Sequence, residues 1–124
     1  MKSKKKGITR IWYAYNYSLA GLKAAYRHEA AFRQELLLFL LLLPVILIIP
    51  VSPIFTVLLF LVNGLVLIVE LLNSAIETVV DMVSPDYHEL AKRVKDIASA
   101  AVFISLLLAA VVWCSAGATI LMRA

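Results

Sequence analysis

The chain of 124 residues has few charged side chains, and two long stretches contain none. Only 16% of its residues are charged and 63% are hydrophobic, a balance far from that of a soluble domain. The uncharged stretches are residues 36–69 and 97–122. A membrane-spanning helix needs about 20 apolar residues. The first stretch therefore accommodates two crossings, separated at Pro50 and Pro53, and the second accommodates one.

Glycine, histidine and cysteine are too scarce for several common functional sites. The 4 glycines stand singly, so there is no Gly-rich phosphate loop, no GxGxxG fingerprint and no kinase-type catalytic loop. The 2 histidines and 1 cysteine exclude a standard zinc site. Cys114 has no partner for an intrachain disulfide, and its apolar surroundings predict a buried, inert thiol.

The positive charges are concentrated on one side of the predicted crossings. Residues 50–53 carry none, and Arg123 stands alone near the C-terminus. The positive-inside rule therefore places the N-terminus and the 82–96 connection in the cytoplasm, with the C-terminus outside. A basic arm next to a membrane predicts contact with anionic phospholipids rather than with nucleic acid. The cations that decide this orientation are Lys2, Lys4, Lys5, Lys6, Arg10, Lys23, Arg27, Arg33, Lys92, Arg93 and Lys95.

We predict an all-α membrane protein with one domain over residues 1–124. Residues 1–28 form a cytoplasmic tail (1–7) and an amphipathic surface helix capped by Thr9, because aromatic and leucine residues recur there at steps of three and four. The crossings are residues 29–50, 53–82 and 86–122, the last including a cytoplasmic turn. Ser84, Pro85 and Asp86 predict the start of the last helix, since they suit an N-cap, a first-turn proline and a dipole-favoured acid.

A row of polar side chains lies at the end of the second crossing. Glu70, Asn73, Ser74, Glu77 and Asp81 are spaced i, i+3, i+4, i+7 and i+11, which places them on one helical face, and Asn63 extends that face by a heptad. Ionisable groups at membrane depth are costly and usually face a protein interior. The spacing predicts that these residues form a functional site.

The depth of each carboxylate follows from the rise of about 1.5 Å per helical residue. Counting from the turn at Pro53, Glu70 reaches the inner membrane boundary at the level of Glu35, and Glu77 extends to the level of Glu29. Carboxylates, Lys and Arg at one interface are the components of a magnesium–phosphate site. The residues alone leave open an enzyme, a transporter or proton path, and a structural oligomer in which Glu70 and Asn73 join helices.

Several segments resemble the small prokaryotic membrane-integral diacylglycerol kinases, and the resemblance covers nearly the whole chain. The most specific are the Glu-Leu-Leu-Asn-Ser-Ala-Ile-Glu run that begins at Glu70 and the downstream Lys95-Asp96. The others are Gly7-Ile8-Thr9-Arg10, Glu29-Ala30-Ala31-Phe32-Arg33-Gln34-Glu35, Tyr87-His88-Glu89-Leu90 and Trp113-Cys114.

The resemblance implies a homotrimer of the bacterial inner membrane that transfers the γ-phosphate of ATP, with Mg²⁺, to the hydroxyl of diacylglycerol, giving phosphatidic acid. A relative in Gram-positive bacteria phosphorylates undecaprenol instead, but the segments at Phe32–Glu35 and Trp113-Cys114 favour diacylglycerol. This family usually has Glu at the position of Asp86 and lacks Pro85.

The resemblance also implies roles for individual residues. Glu70 is the general base, Asn73 supports it, and Glu29 and Glu77 hold the metal. The residues implied to contact the nucleotide are Arg10, Tyr17, Glu29, Glu77, Asp86, Tyr87, His88, Lys95 and Asp96. The residues implied to line the lipid site are Arg10, Ser18, Lys23, Ala31, Arg33, Gln34, Glu35, Glu70, Ser99 and Trp113.

Overall fold

The computed structural model describes residues 7–123, and every regular element in this range is a helix. The helices are α1 (Ile8–His28), α2 (Ala30–Ile48), α3 (Pro53–Val83) and α4 (Glu89–Arg123). The last three are long and apolar enough to cross a membrane. The prediction of an all-α chain with three such helices is confirmed, while the charged tail predicted before Gly7 lies outside the described residues.

The predicted cap of the first helix is wrong. The helix α1 begins at Ile8, one residue before Thr9, and it has no side-chain cap. Gly7 precedes it with a φ of 69°, a backbone conformation that glycine adopts without steric cost. The chain therefore enters the helix through glycine.

The predicted start of the last helix is also wrong, because Ser84 ends α3. The Ser84 backbone N–H donates to the Val80 carbonyl at 2.8 Å, and its hydroxyl donates to the Asp86 carbonyl at 2.9 Å. A residue before proline is pushed out of the helical region, which explains why α3 stops ahead of Pro85. The helix α4 begins at Glu89, and His88 accepts a hydrogen bond from the Leu90 N–H through Nδ1 at 3.1 Å.

The joint between α1 and α2 consists of the single extended residue Glu29, with φ −119° and ψ 105°. The Arg33 guanidinium holds this joint, because its Nη1 donates to the carbonyls of Tyr26 at 2.7 Å and Arg27 at 3.1 Å. These bonds use carbonyls at the end of α1 that have no partner within the helix. The joint fixes Glu29 at the top of α2.

The helix α3 is central, since it packs against both α4 and α2. At the end remote from the α3–α4 connection, Ile46, Leu59 and Ala116 form a buried core cluster from the three long helices. The Ser52 hydroxyl caps α3 by accepting from the Phe55 N–H at 3.3 Å. Arg123 Nη1 donates to the Pro50 carbonyl at 2.9 Å, which ties the end of α4 to the α2–α3 turn.

Most of the apolar surface remains uncovered by the chain itself. Of the most apolar windows of the three long helices, only 11%, 17% and 17% of the residues are buried. Cys114, predicted to be buried, is exposed on this surface, because the packed face of α4 is a row of small residues that Cys114 does not join. The buried row of α4 is Ala98, Ser105, Ala109 and Ala116.

Candidate active site

The row of polar side chains from Asn63 to Asp81 forms one face of α3, called here the polar face, and it is the most unusual feature of the packed interior. Asn63, Glu70 and Ser74 are only 9%, 5% and 6% exposed, on the same face as the buried Leu59 and Val66. The exposure of the other residues of this face increases towards the end of the helix, since Asn73 and Glu77 are half-buried and Asp81 is exposed. The structure therefore places a carboxylate and a hydroxyl inside the helix bundle.

Asn73 links the two glutamates of this face. Its Nδ2 donates to Glu70 Oε2 at 3.4 Å and to Glu77 Oε1 at 3.5 Å. The three side chains lie within two turns of α3, so one rigid helix sets their separation. The bonds are long, and their geometry leaves the carboxylates able to accept further donors.

Two glutamates at the start of the first crossing lie near this face. Glu35 of α2 interacts electrostatically with Glu70, and Glu29 interacts electrostatically with Glu77. These are the pairings expected from the helical rise. Four carboxylates from α3, from α2 and from the joint that precedes α2 therefore form an acidic cleft at one end of the bundle.

The cleft is bordered by cations from the start of α4. Lys95 Nζ lies 2.7 Å from Asp81 Oδ1, and Lys95 also interacts with Glu77. Lys92 Nζ lies 2.7 Å from Asp96 Oδ2 within α4. The Lys95 ammonium has three donor hydrogens, so its bond to Asp81 leaves two for another anion.

Two buried polar atoms are left without a hydrogen-bond partner, and both belong to this face. Among residues 7–123, the buried side-chain oxygens and nitrogens that lack a partner are Asn73 Oδ1 and Ser74 Oγ. An unsatisfied buried group costs about 1–3 kcal/mol. Because these two atoms lie next to Glu70 and Glu77, they indicate a surface that can form hydrogen bonds with a polar ligand.

A groove with a volume of about 780 Å³ runs between α1 and α3 on this side of the bundle. The side chains of Ser18, Glu29, Ser74 and Thr78 contribute the polar part of its lining. Small and apolar residues make up the rest, namely Gly21, Leu22, Ala24, Ala25, Leu71 and Ala75, together with His28. The groove opens the polar face of α3 to an elongated, mostly apolar molecule.

The residues predicted to contact nucleotide are only partly brought together. Glu29, Glu77 and Lys95 meet at the cleft, and Asp96 lies one residue further along α4 in an ion pair with Lys92. Asp86, Tyr87 and His88 are exposed in the α3–α4 connection. Arg10 and Tyr17 are exposed on α1, which packs mainly on α2. Within residues 7–123, no hydrogen bond or ion pair joins them to that connection.

The residues predicted to line the lipid site are similarly spread. Ser18 lines the groove, although its hydroxyl already donates to the Ala14 carbonyl at 2.9 Å. The Arg33 guanidinium donates its hydrogen bonds to carbonyls at the α1–α2 joint. Trp113 packs against the core cluster and shares a cavity of about 130 Å³ with Glu35 and Asn63. The remaining members are exposed in the single chain: Lys23, Ala31, Gln34 and Ser99.

The donor chemistry of the cleft fits a magnesium ion held jointly with phosphate. No group of three or more His, Cys, Asp or Glu side chains within residues 7–123 is arranged to hold an ion. Mg²⁺ in nucleotide sites uses one or two carboxylates, with phosphate and water oxygens completing its shell. The facing carboxylates of Glu29 and Glu77, next to the unpartnered Asn73 Oδ1, supply oxygen donors of this kind.

Sequence reasoning placed Ser74 and Asp81 in the polar row of α3 but assigned neither of them an individual role. Only the structure shows that Ser74 Oγ lacks a partner and that Asp81 holds Lys95. The helical spacing was the signal that identified both positions.

Comparisons with known proteins identify the family of this chain. Residues 16–116 match the family described as prokaryotic diacylglycerol kinase. A protein named diacylglycerol kinase from Escherichia coli is 48% identical over 114 residues, covering 92% of this chain and 93% of that protein. One of the same name from Pseudomonas aeruginosa is 51% identical over 107 residues, covering 86% and 87%. One from Helicobacter pylori is 40% identical over 110 residues, covering 89% and 86%. The chain therefore belongs to the prokaryotic diacylglycerol kinase family.

Proposed function

We propose that this protein is an ATP-dependent lipid kinase that transfers the γ-phosphoryl group of ATP to the free hydroxyl of 1,2-diacylglycerol, giving phosphatidic acid and ADP. The observation that carries this proposal is the buried Glu70, joined through Asn73 to the half-buried Glu77 at the open end of a helix bundle. The activity named for the relatives supports the same chemistry.

The hydroxyl oxygen of the lipid attacks the γ-phosphorus, a new O–P bond forms, and the bond from that phosphorus to the β–γ bridging oxygen breaks. The hydroxyl proton passes to the carboxylate of Glu70. Glu70 suits this role because it faces the bundle interior and the Asn73 amide donates a hydrogen bond to its carboxylate. General bases held in this way contribute about 10²–10⁴-fold to a rate.

Charge neutralisation accounts for most of the remaining catalysis in phosphoryl transfer. Glu29 and Glu77 would hold Mg²⁺, which when bound offsets the charge on the β- and γ-phosphates. Lys95 borders Glu77, and its free donors would contact the transferred group. Asp96 and the exposed Asp86, Tyr87 and His88 lie on the same side of the bundle, where the nucleotide enters from water.

We further propose that the enzyme is a homotrimer in the bacterial inner membrane, with a cytoplasmic N-terminus. The uncovered apolar faces and the dispersed positions of Arg10 and Tyr17 favour an assembly in which subunits complete one another's sites. In this assembly α1 lies on the cytoplasmic membrane surface, where its basic residues contact anionic phospholipids. Trp12, Tyr15, Leu19, Leu22 and Tyr26, all exposed in the single chain, give α1 an apolar surface.

The decisive experiment is phosphorylation of lipid by the purified protein, with diacylglycerol and undecaprenol supplied in competition. We expect ATP-dependent formation of phosphatidic acid and a preference for diacylglycerol. Preferential labelling of undecaprenol would replace the proposed substrate with the alternative. Proton flux across vesicles without ATP turnover would instead support an ion pathway.

A further inference from the structure

The hydroxyl of Ser74 differs from four other hydroxyls within the helices of this chain. Those of Ser18, Thr78, Ser115 and Thr119 each donate to the carbonyl four residues earlier, at 2.8–2.9 Å. Ser74 is at least as buried as any of them, yet its Oγ makes no such bond. Because back-bonding is the ordinary resolution for a serine within a helix, its absence leaves the Ser74 hydroxyl available to another group.

The position of Ser74 suggests which group this is. It lies one turn after Glu70 on the same buried face, and it lines the α1–α3 groove with Glu29. Side chains four residues apart on a helix have Cβ atoms about 5–6 Å apart. One ligand oxygen can therefore lie within hydrogen-bonding distance of both Glu70 and Ser74, since each bond spans about 2.7–2.8 Å.

We propose that Ser74 is a substrate-binding residue whose Oγ–H donates a hydrogen bond to the acceptor hydroxyl of the lipid. That hydroxyl points its own proton at Glu70, so the two side chains hold it from successive turns of α3. The inference rests on the proposed function and adds a residue that recognises the free alcohol itself. A lipid without this hydroxyl leaves Ser74 unpaired and is discriminated against.

The test compares the enzyme, Ser74→Ala and Ser74→Cys with two lipids. One lipid is 1,2-diacylglycerol, and the other is the 1,2-diester of propane-1,2-diol, which has a methyl group in place of the hydroxymethyl group. Cysteine keeps the volume of the side chain but is a weak hydrogen-bond donor, so it separates lost bonding from lost packing. The matched control is Ser105→Ala, which is also buried but already donates to the Val102 carbonyl at 2.7 Å.

We expect both Ser74 variants to raise KM for diacylglycerol about 3- to 10-fold, the effect of one hydrogen bond. The inhibition constant of the deoxy diester and KM for MgATP should stay unchanged, as should all constants of Ser105→Ala. Unchanged KM values in both Ser74 variants would overturn the inference. It would also be overturned if the variants bound both lipids more weakly by the same factor and lost the oligomer. If the unaltered enzyme fails to phosphorylate diacylglycerol, the proposed function itself is wrong.

Discussion

At the scale of single residues, Glu70 is where two explanations of a buried carboxylate diverge. A general base needs a group that can accept a proton, which for Glu70 is the carboxylate, whereas a residue that only joins helices works equally well as a neutral amide. The structure leaves Glu70 only 5% exposed, with one long hydrogen bond from Asn73. Such sparse pairing is unusual for a purely structural carboxylate, because buried charges normally have full hydrogen bonding.

Glu70→Gln is the substitution that distinguishes these roles. It preserves the size of the side chain but removes the proton acceptor, so turnover should fall about 10²–10⁴-fold with little change in KM for either substrate. The variant should unfold at the same temperature in detergent as the parent enzyme. A stable variant with near-normal phosphatidic acid formation would show that Glu70 is not the base.

The metal assignment rests on Glu29 and Glu77 facing each other. Glu29→Gln or Glu77→Gln should lower the apparent affinity for Mg²⁺ by about tenfold or more, because even outer-shell changes at metal sites have effects of this size. KM for diacylglycerol should not change. The matched control is Glu89→Gln, which removes the same charge from the exposed start of α4. A normal magnesium titration in both site variants would contradict the assignment.

At the scale of elements, the α3–α4 hairpin aligns the charged ends of two helices. The pair between Asp81 and Lys95 spans the hairpin at 2.7 Å. Both side chains are substantially exposed, and exposed ion pairs contribute little to stability. Its main consequence is therefore positional, because Asp81 restricts where the Lys95 ammonium can lie relative to Glu77.

Asp81→Asn tests this positional effect. We expect KM for MgATP to rise about 2- to 10-fold, the range for one hydrogen bond, while thermal stability is nearly unchanged. Asp81→Glu, which can still reach Lys95, should recover most of the loss. Identical nucleotide kinetics in Asp81→Asn and in the parent enzyme would mean that Lys95 needs no such support.

The joint between α3 and α4 explains why the start of α4 was predicted wrongly. Ser84 carries a good N-cap side chain, but its place before Pro85 makes it the end of α3 instead. The actual start of α4 is marked by a histidine nitrogen, a cap that residue preferences do not favour. The start of α4 therefore depends on where α3 stops, and not on the cap preference of Ser84 alone.

At the scale of the whole molecule, a large apolar surface is exposed in the single chain. Large apolar side chains cover α2, α3 and α4 on their outer faces, where lipid or further subunits can contact them. The predicted nucleotide residues on α1 and on the α3–α4 connection also remain apart in one chain. Assembly of several chains would address both features.

We therefore expect chemical crosslinking in mild detergent to yield trimers. Mixing two inactive variants, one altered at Arg10 and one at Lys95, should restore part of the activity if each site draws these residues from different subunits. Crosslinking that traps only monomers would count against the trimer. Trimers without complementation would place each complete site within one subunit.

The sequence by itself determined the number of membrane-spanning helices, the helical face that carries Glu70, and the levels at which Glu35 and Glu29 meet that face. These follow from hydrophobic length, from about 100° of rotation and from a fixed rise per residue, which are properties of a helix alone. Only the tertiary structure decided which atoms find partners. Ser74 Oγ stays unpaired, Asp81 binds Lys95, and Arg33 closes the α1–α2 joint. The reason is physical, since a hydrogen bond needs two groups within about 3 Å, and that distance depends on how separate helices pack.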